Sequence, residues 1–486
     1  MIFNSYEFIF AFLPAVWIGY FLLNKWQLFF VRNVWLVISS LFFYSWWNPV
    51  YLPLISASML INYYIGTLLG KAGSQPRARL LLTVGITANL AALGYYKYYD
   101  FFIENLNALL STDFNLLHLA LPLAISFFTF QQIAYLVDAY RKETKEYDFW
   151  KYALFVSFFP QLIAGPIVHH NEMMPQFSRE KAQRKFYYEN FAKGIFIFSI
   201  GLFKKVVIAD TFAVWATAGF DQAEMLTFIE AWIVSLSYTF QLYFDFSGYT
   251  DMAMGAALLF NVRLPVNFNS PYKAVNIQDF WKRWHMTLTR FLTQYLYIPL
   301  GGNRKGIPRT YVNVFLVFFV SGLWHGAGWT FVLWGTLHGA ASMLNRLWKQ
   351  LGFKMNRFLG WFITFQFVNF AWVFFRAQSW EDAEKVLKGM FGMSGFSWPE
   401  QLTSLFTPAS VQAVEILSIN AATDTSLLYM LALLGAAFAI TLWARNSIRL
   451  MDQLKPSWFS AFFICALLLI SFFSMTRVSE FLYFNF

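Results

Sequence analysis

Six histidines carry the chain's acid–base chemistry near neutral pH: His118, His169, His170, His285, His325 and His338. A neutral imidazole, with an unperturbed pKa of about 6.5, can take a proton from a hydroxyl in that range. His325 has the most suggestive setting. It follows Trp324 and lies between Gly322 and Gly326, at the middle of an apolar stretch. Ionisable groups in such stretches are costly and are functional candidates by default. Its small neighbours would let a substrate or a second backbone approach; the bland alternative is a buried histidine satisfied by one carbonyl. His338, in Trp334-Gly-Thr-Leu-His-Gly339, could orient His325, contact substrate or bond across helices. His285, in Trp284-His285-Met286, is either part of the chemistry or an interfacial packing residue. His169 and His170 beside Glu172 hint at a metal pair, but adjacent residues do not share a helix face and no third ligand is spaced nearby. No metal site is expected. His118 reads as a loop residue at the membrane edge.

A second polar cluster is Asp245-Phe-Ser-Gly-Tyr-Thr-Asp251, at the end of an apolar block. Asp245 and Asp251 are supporting candidates for catalysis, or form a structural ion pair with the basic segment 262–310. There is no Walker loop, no dinucleotide glycine fingerprint and no G-x-S-x-G elbow. A serine nucleophile therefore has no motif behind it. The lone Cys465 lies in an apolar run and rules out a disulfide framework or cysteine metal site.

The elements that must hold these residues are membrane helices. Of 486 residues, 58% are hydrophobic and 13% charged, and the mean hydropathy is +0.47. Soluble domains average about 25% charged, and no stretch here is polar enough to coat several of them. Apolar blocks fall at roughly 7–23, 31–48, 51–69, 79–97, 117–137, 194–216, 228–247, 311–330, 331–345, 358–376, 427–443 and 457–475. By length these make about twelve crossings. The first basic residue, Lys25, follows the apolar run Phe8 to Leu23, so no cleaved signal is expected. The net charge of +10 sits in short loops rather than on a polar domain, which argues for positive-inside orientation and against nucleic acid.

Cations place Lys25, then Lys71, Arg77 and Arg79, then Arg141, Lys142 and Lys145 in cytoplasmic loops. The same parity puts 98–116, 377–426 and both termini outside. Three regions break the pattern. Pro160 and Gly165-Pro166 make 150–170 a re-entrant or interfacial segment. Region 262–310 is a long basic cytoplasmic segment, in which Asn276 to Asp279 opens a helix carrying Trp281, His285, Leu288 and Leu292 on one face. In 321–328 glycines interrupt a span. The chain thus divides into N-terminal spans (1–145), a core with His325 (146–376), an outer segment (377–426) and C-terminal spans (427–486). No internal repeat was found, which weakens a transporter reading.

Several motifs occur together and in order: Gln161-Leu-Ile-Ala-Gly-Pro-Ile167, Asp245 to Asp251, Asp279-Phe-Trp-Lys-Arg-Trp-His285, Tyr297-Ile-Pro-Leu-Gly-Gly-Asn-Arg304, Gly322-Leu-Trp-His-Gly326 and Phe481-Leu-Tyr-Phe484, after an opening Met1-Ile-Phe-Asn-Ser-Tyr-Glu-Phe8. Over essentially its whole length the chain resembles the membrane-bound O-acyltransferase superfamily, most closely the bacterial branch that contains the alginate O-acetyltransferase membrane subunit. The resemblance implies an all-α polytopic fold around a tunnel joining the two faces, in a bacterial inner membrane. It matches the family's invariant histidine to His325 and a second histidine motif to His285; His338 fits a further one. It also implies an acetyl group taken from a cytoplasmic thioester, with acetyl-CoA as donor and no bound cofactor. The group passes to an extracytoplasmic partner protein and the polysaccharide secretion machinery. Trp281 with His285 would line the cytoplasmic mouth, Trp324 the donor site, and Lys282, Arg283, Arg304, Lys305 and Arg309 would suit CoA phosphates. His325 would be the general base, in a site open towards the aqueous compartments. Rival readings are transfer of another acyl group such as D-alanine from a carrier protein, a transporter, and a scaffold of a secretion complex.

Overall fold

The computed structural model describes residues 1–144, 148–178, 186–396, 423–475 and 482. Among these the chain is helical, with no strand. Five helical runs are long and apolar enough to cross a bilayer: Glu7–Lys25, Pro49–Gly70, Gln75–Leu110, Ile307–His325 and Arg357–Arg376. Three shorter apolar helices, Phe29–Ser45, Leu428–Leu442 and Trp458–Ser474, accompany them. The outer helices expose large apolar side chains, among them Phe30, Tyr64, Phe102, Leu109 and Trp458. In water such a surface would aggregate; against lipid it costs nothing.

The centre is one helix of 32 residues, Phe228–Leu259. At about 1.5 Å per residue it outspans the hydrocarbon layer. A capping box starts it, with Thr227 N–H donating to Glu230 at 2.9 Å. Its interior residues from Ser237 to Leu259 are all buried. The helix Tyr188–Phe203 touches it backbone to backbone. A Cβ on Gly201 would lie 2.6 Å from the Gly248 carbonyl, and one on Gly255 2.6 Å from that of Gly194. Small residues at such crossings allow close van der Waals packing where lipid supplies no hydrophobic drive.

Segment 149–170 is broken as the prolines demand: Phe149–Ser157, then Phe159–Leu162 with Pro160 in its first turn. Residues 152–168 are buried, so its freed backbone is enclosed by protein.

Four expectations are corrected. Segment 98–116, expected to lie outside the spans, is helical to Leu110: Gln75–Leu93 runs through a π-helical turn, Gly94–Tyr98, into Tyr99–Leu110. The block at 117–137 is helical only from Ile125. The basic segment does not form one helix through His285. Asn276 caps a five-residue helix, Ile277–Trp281, and a second, Met286–Leu292, begins after His285, whose φ is +43°. Finally, His325 is not mid-span. The helix ends on it, Gly326 is extended at φ −157°, and Trp329–Gln350 follows. Of segment 377–426, expected outside, Trp380–Met390 is a helix, whereas Glu400 and Glu415 lie outside the described residues. So do Lys145 and, apart from Leu482, the closing motif.

Candidate active site

The structure brings His285, His325 and His338 together in one packed aromatic cluster. The rings of His285 and His325 are 6.5 Å apart at their centroids. Trp324 touches both, at 6.2 and 4.9 Å. Trp334 lies 5.1 Å from His325 and 4.8 Å from His338, and Phe375 flanks His325 at 5.1 Å. Glycines make this approach possible. A Cβ on Gly335 would lie 2.4 Å from the Phe318 carbonyl and 3.0 Å from the Gly322 Cα, so Ile307–His325 and Trp329–Gln350 meet through their backbones just before His325.

Each of two rings has its proton placed by a fixed partner. Asn267 presents its side-chain oxygen to His285, since the same atom accepts from the Thr287 N–H at 3.3 Å and the Thr287 hydroxyl at 2.9 Å. His285 Nδ1–H therefore donates to it, at 3.1 Å, and its Nε2 is the basic nitrogen. Burial pushes the His285 pKa down to about 3, so the ring is neutral. For His338 the logic is reversed. The Trp281 indole can only donate, and it does so to Nδ1 at 3.2 Å, which puts the proton of His338 on Nε2.

His325 itself is 2% exposed, behind Trp324, Trp334 and Phe375. A cavity of about 270 Å³ comes up to the peptide that follows it. Tyr95, Tyr96, Lys97, Asp100, Gly326 and Ala327 are among its walls. The site expected to stand open is thus closed at the ring, and substrate access requires the aromatic wall to part.

Other sequence candidates lie elsewhere. Asp245 pairs with Lys205 at 2.8 Å and Asp251 with Lys204 at 2.6 Å. Their cationic partners come from the π-helical turn Lys204–Ala209, not from the basic segment 262–310, because the central helix packs directly on that turn. Arg283 is engaged by Asp279 at 2.8 Å. Lys282, Arg304, Lys305 and Arg309 are exposed. Trp281 is buried beside His338, with Trp324 stacked 5.2 Å from Phe130.

Sequence reasoning missed four anchoring residues, in three places. Asn267 holds His285. Asp138 and Tyr295 take up the adjacent histidines. His169 Nδ1–H donates to the Tyr295 oxygen at 3.1 Å, Tyr295 donates to Asp138 at 2.8 Å, and His170 Nδ1 lies 3.2 Å from the same carboxylate oxygen. Burial, then Arg290, lowers the His169 pKa to about 4. At the third place is Lys97. Its ammonium donates to the carbonyls of Trp324 at 2.6 Å and His325 at 3.2 Å. Only its setting, a charge among tyrosines at the end of the apolar block 79–97, could have signalled it.

Residues 46–379 match the model of the membrane-bound O-acyltransferase family. A peptidoglycan O-acetyltransferase of Helicobacter pylori is 48% identical, over 100% of this chain and 98% of its own. A probable alginate O-acetylase of Pseudomonas aeruginosa is 40% identical over 82% of this chain and 76% of its own. A teichoic acid D-alanyltransferase of Bacillus subtilis is 27% identical over 52% of this chain and 68% of its own. This is a multi-pass, all-helical membrane protein, and it belongs to the membrane-bound O-acyltransferase family.

Proposed function

We propose that this chain takes an acetyl group from a cytoplasmic thioester, acetyl-CoA, and passes it across the inner membrane to an acceptor hydroxyl, for O-acetylation of a glycopolymer on the far side. Peptidoglycan is the first choice of polymer, since the full-length relative at 48% identity bears that name. An exported polysaccharide of the alginate kind is the second. Acetyl is favoured over D-alanine because the D-alanyl relative matches only about half of the chain. A partner protein outside the membrane would carry the group onward, and both termini would lie on that side.

The observation that carries this reading is the juxtaposition of His325 and His285 in one buried aromatic cluster. His325 takes the proton of the acceptor hydroxyl as its oxygen attacks the thioester carbonyl. The tetrahedral centre then collapses, the carbon–sulfur bond breaks, and the proton passes from the imidazolium to the departing thiolate. Such a base contributes about 10²–10⁴-fold in rate. Enclosure by Trp324, Trp334 and Phe375 supports transfer over hydrolysis, because it keeps water from the acyl group.

The test uses membranes of the native host, with the variant in place of the chromosomal gene and radiolabelled acetyl-CoA as donor. His325→Ala, inserted at the normal level, is expected to lower ester-linked acetate in the polymer by about 10²–10⁴-fold. Acetylation near the wild-type level would remove His325 from the reaction. Labelling from a D-alanyl carrier protein but not from acetyl-CoA would replace the donor.

A further inference from the structure

The helix Ile307–His325 ends without the usual left-handed glycine. Its C-cap, Gly326, is extended, and only the Gly322 carbonyl is satisfied from within, by Gly326 N–H at 3.3 Å. The remaining carbonyls of the last turn would be orphans. They are taken up instead by one π-helical turn of another helix, Gly94–Tyr98. Tyr98 OH donates to Leu323 O at 2.6 Å. Lys97 Nζ donates to Trp324 O at 2.6 Å, to His325 O at 3.2 Å and to Ser126 Oγ at 3.3 Å. All three ammonium hydrogens are thereby committed.

Two features set this apart from ordinary capping. Among the described residues no carboxylate pairs with Lys97, so its charge is balanced by the negative end of the His325 helix. A cation within a span is expensive, and a neutral donor would satisfy carbonyls more cheaply. Moreover, one of the accepting carbonyls belongs to His325 itself. π-helical turns are rare and cluster at functional sites; this one turns Lys97 and Tyr98 onto the same helix end.

We propose that Lys97 is a positioning residue for His325. By holding the carbonyls of residues 324 and 325 it fixes the backbone from which the imidazole projects, and so the distance from His325 to His285. The inference rests on His325 being the base. Displacing a reacting group by about 1 Å can cost about 10²-fold in rate.

The experiment measures kcat and KM for acetyl-CoA in native-host membranes, per amount of inserted protein, for Lys97→Met and Tyr98→Phe. The expected result is a kcat about 10²-fold lower for Lys97→Met, with KM for acetyl-CoA unchanged, and a smaller loss for Tyr98→Phe, which frees a carbonyl two residues before His325. If Lys97→Met fails to insert, Lys97→Gln carries the measurement. Its amide keeps two N–H donors, so an intermediate kcat with the same KM is expected. Wild-type kcat in the inserted variant, or a raised KM at constant kcat, overturns the proposal. Loss of activity in His325→Ala with wild-type kcat in Lys97→Met sinks this inference alone. Wild-type activity in His325→Ala sinks the catalytic reading beneath it.

Discussion

The indole of Trp281 and the imidazole of His338 share one hydrogen bond, 3.2 Å long, deep in the protein. It joins the short helix Ile277–Trp281 to the helix that follows His325, and it dictates which nitrogen of His338 is protonated. Trp281→Phe keeps an aromatic ring at this position and deletes the N–H. A buried acceptor left without its donor costs about 1–3 kcal/mol. Thermal unfolding in detergent is expected to show a loss of that size.

The pair Lys205–Asp245 is nearly inaccessible, with side chains 3% and 1% exposed. Lys205 also pairs with Asp210 at 2.9 Å, so losing Asp245 leaves it one carboxylate and costs less than the about 3–5 kcal/mol of a fully stranded buried charge. Asp245→Asn is therefore expected to unfold at lower temperature and to lose acetylation in proportion. Lys205→Met with Asp245→Asn deprives only Asp210, which is partly exposed, of its Lys205 partner, and is expected to regain most of both. A double variant that is stable yet inactive would make Asp245 a participant in the chemistry.

The contact at Gly335 admits no side chain. Its Cβ would sit against the Phe318 carbonyl and the Gly322 backbone, neither of which can rotate away. Gly335→Ala is expected to cost about 1–3 kcal/mol by overpacking. It should also lower kcat, since the helix end bearing His325 is pushed aside. Unfolding and initial-rate measurements check the two effects separately.

Acid should weaken the fold through two histidines. Unfolded, each takes up a proton at about pH 6.5. Folded, His285 resists to about 3 and His169 to about 4. Below about pH 6.5 the unfolded chain binds more protons. Stability is thus complete above that value and declines by about 1.4 kcal/mol per pH unit for each histidine. Melting temperatures at pH 7.5, 6 and 5 should fall in that order, and the fall should be shallower in His169→Gln. A flat profile would count against the burial of these rings as described.

Local signals in the sequence translated well into structure. Asn276 caps a helix, Pro160 breaks one, and the glycines of 321–328 mark a junction. Their meaning depends on neighbours a few residues away. The glycines join two separate helices rather than interrupting one, and pattern alone cannot tell a kinked span from two helices meeting at a turn. His285 shows the same limit: helical periodicity carries straight through it, yet its backbone is left-handed. Illegible altogether were bonds between remote positions. Lys97 reaches a carbonyl 227 residues away, and Tyr295 a carboxylate 157 residues away. Asp245 and Asp251 stood out as carboxylates, but nothing local named Lys205 and Lys204 as their partners. The basic segment, nearer in sequence to the eye's expectation, was the wrong choice.

The paired glycines Gly201–Gly248 and Gly194–Gly255 fuse two helices into a rod with almost no lateral play. A rod of that kind can neither slide nor rotate without collision of main chains. Whatever breathing admits substrates must therefore happen around it, in the thinner walls, while the rod serves as the fixed frame against which those walls shift.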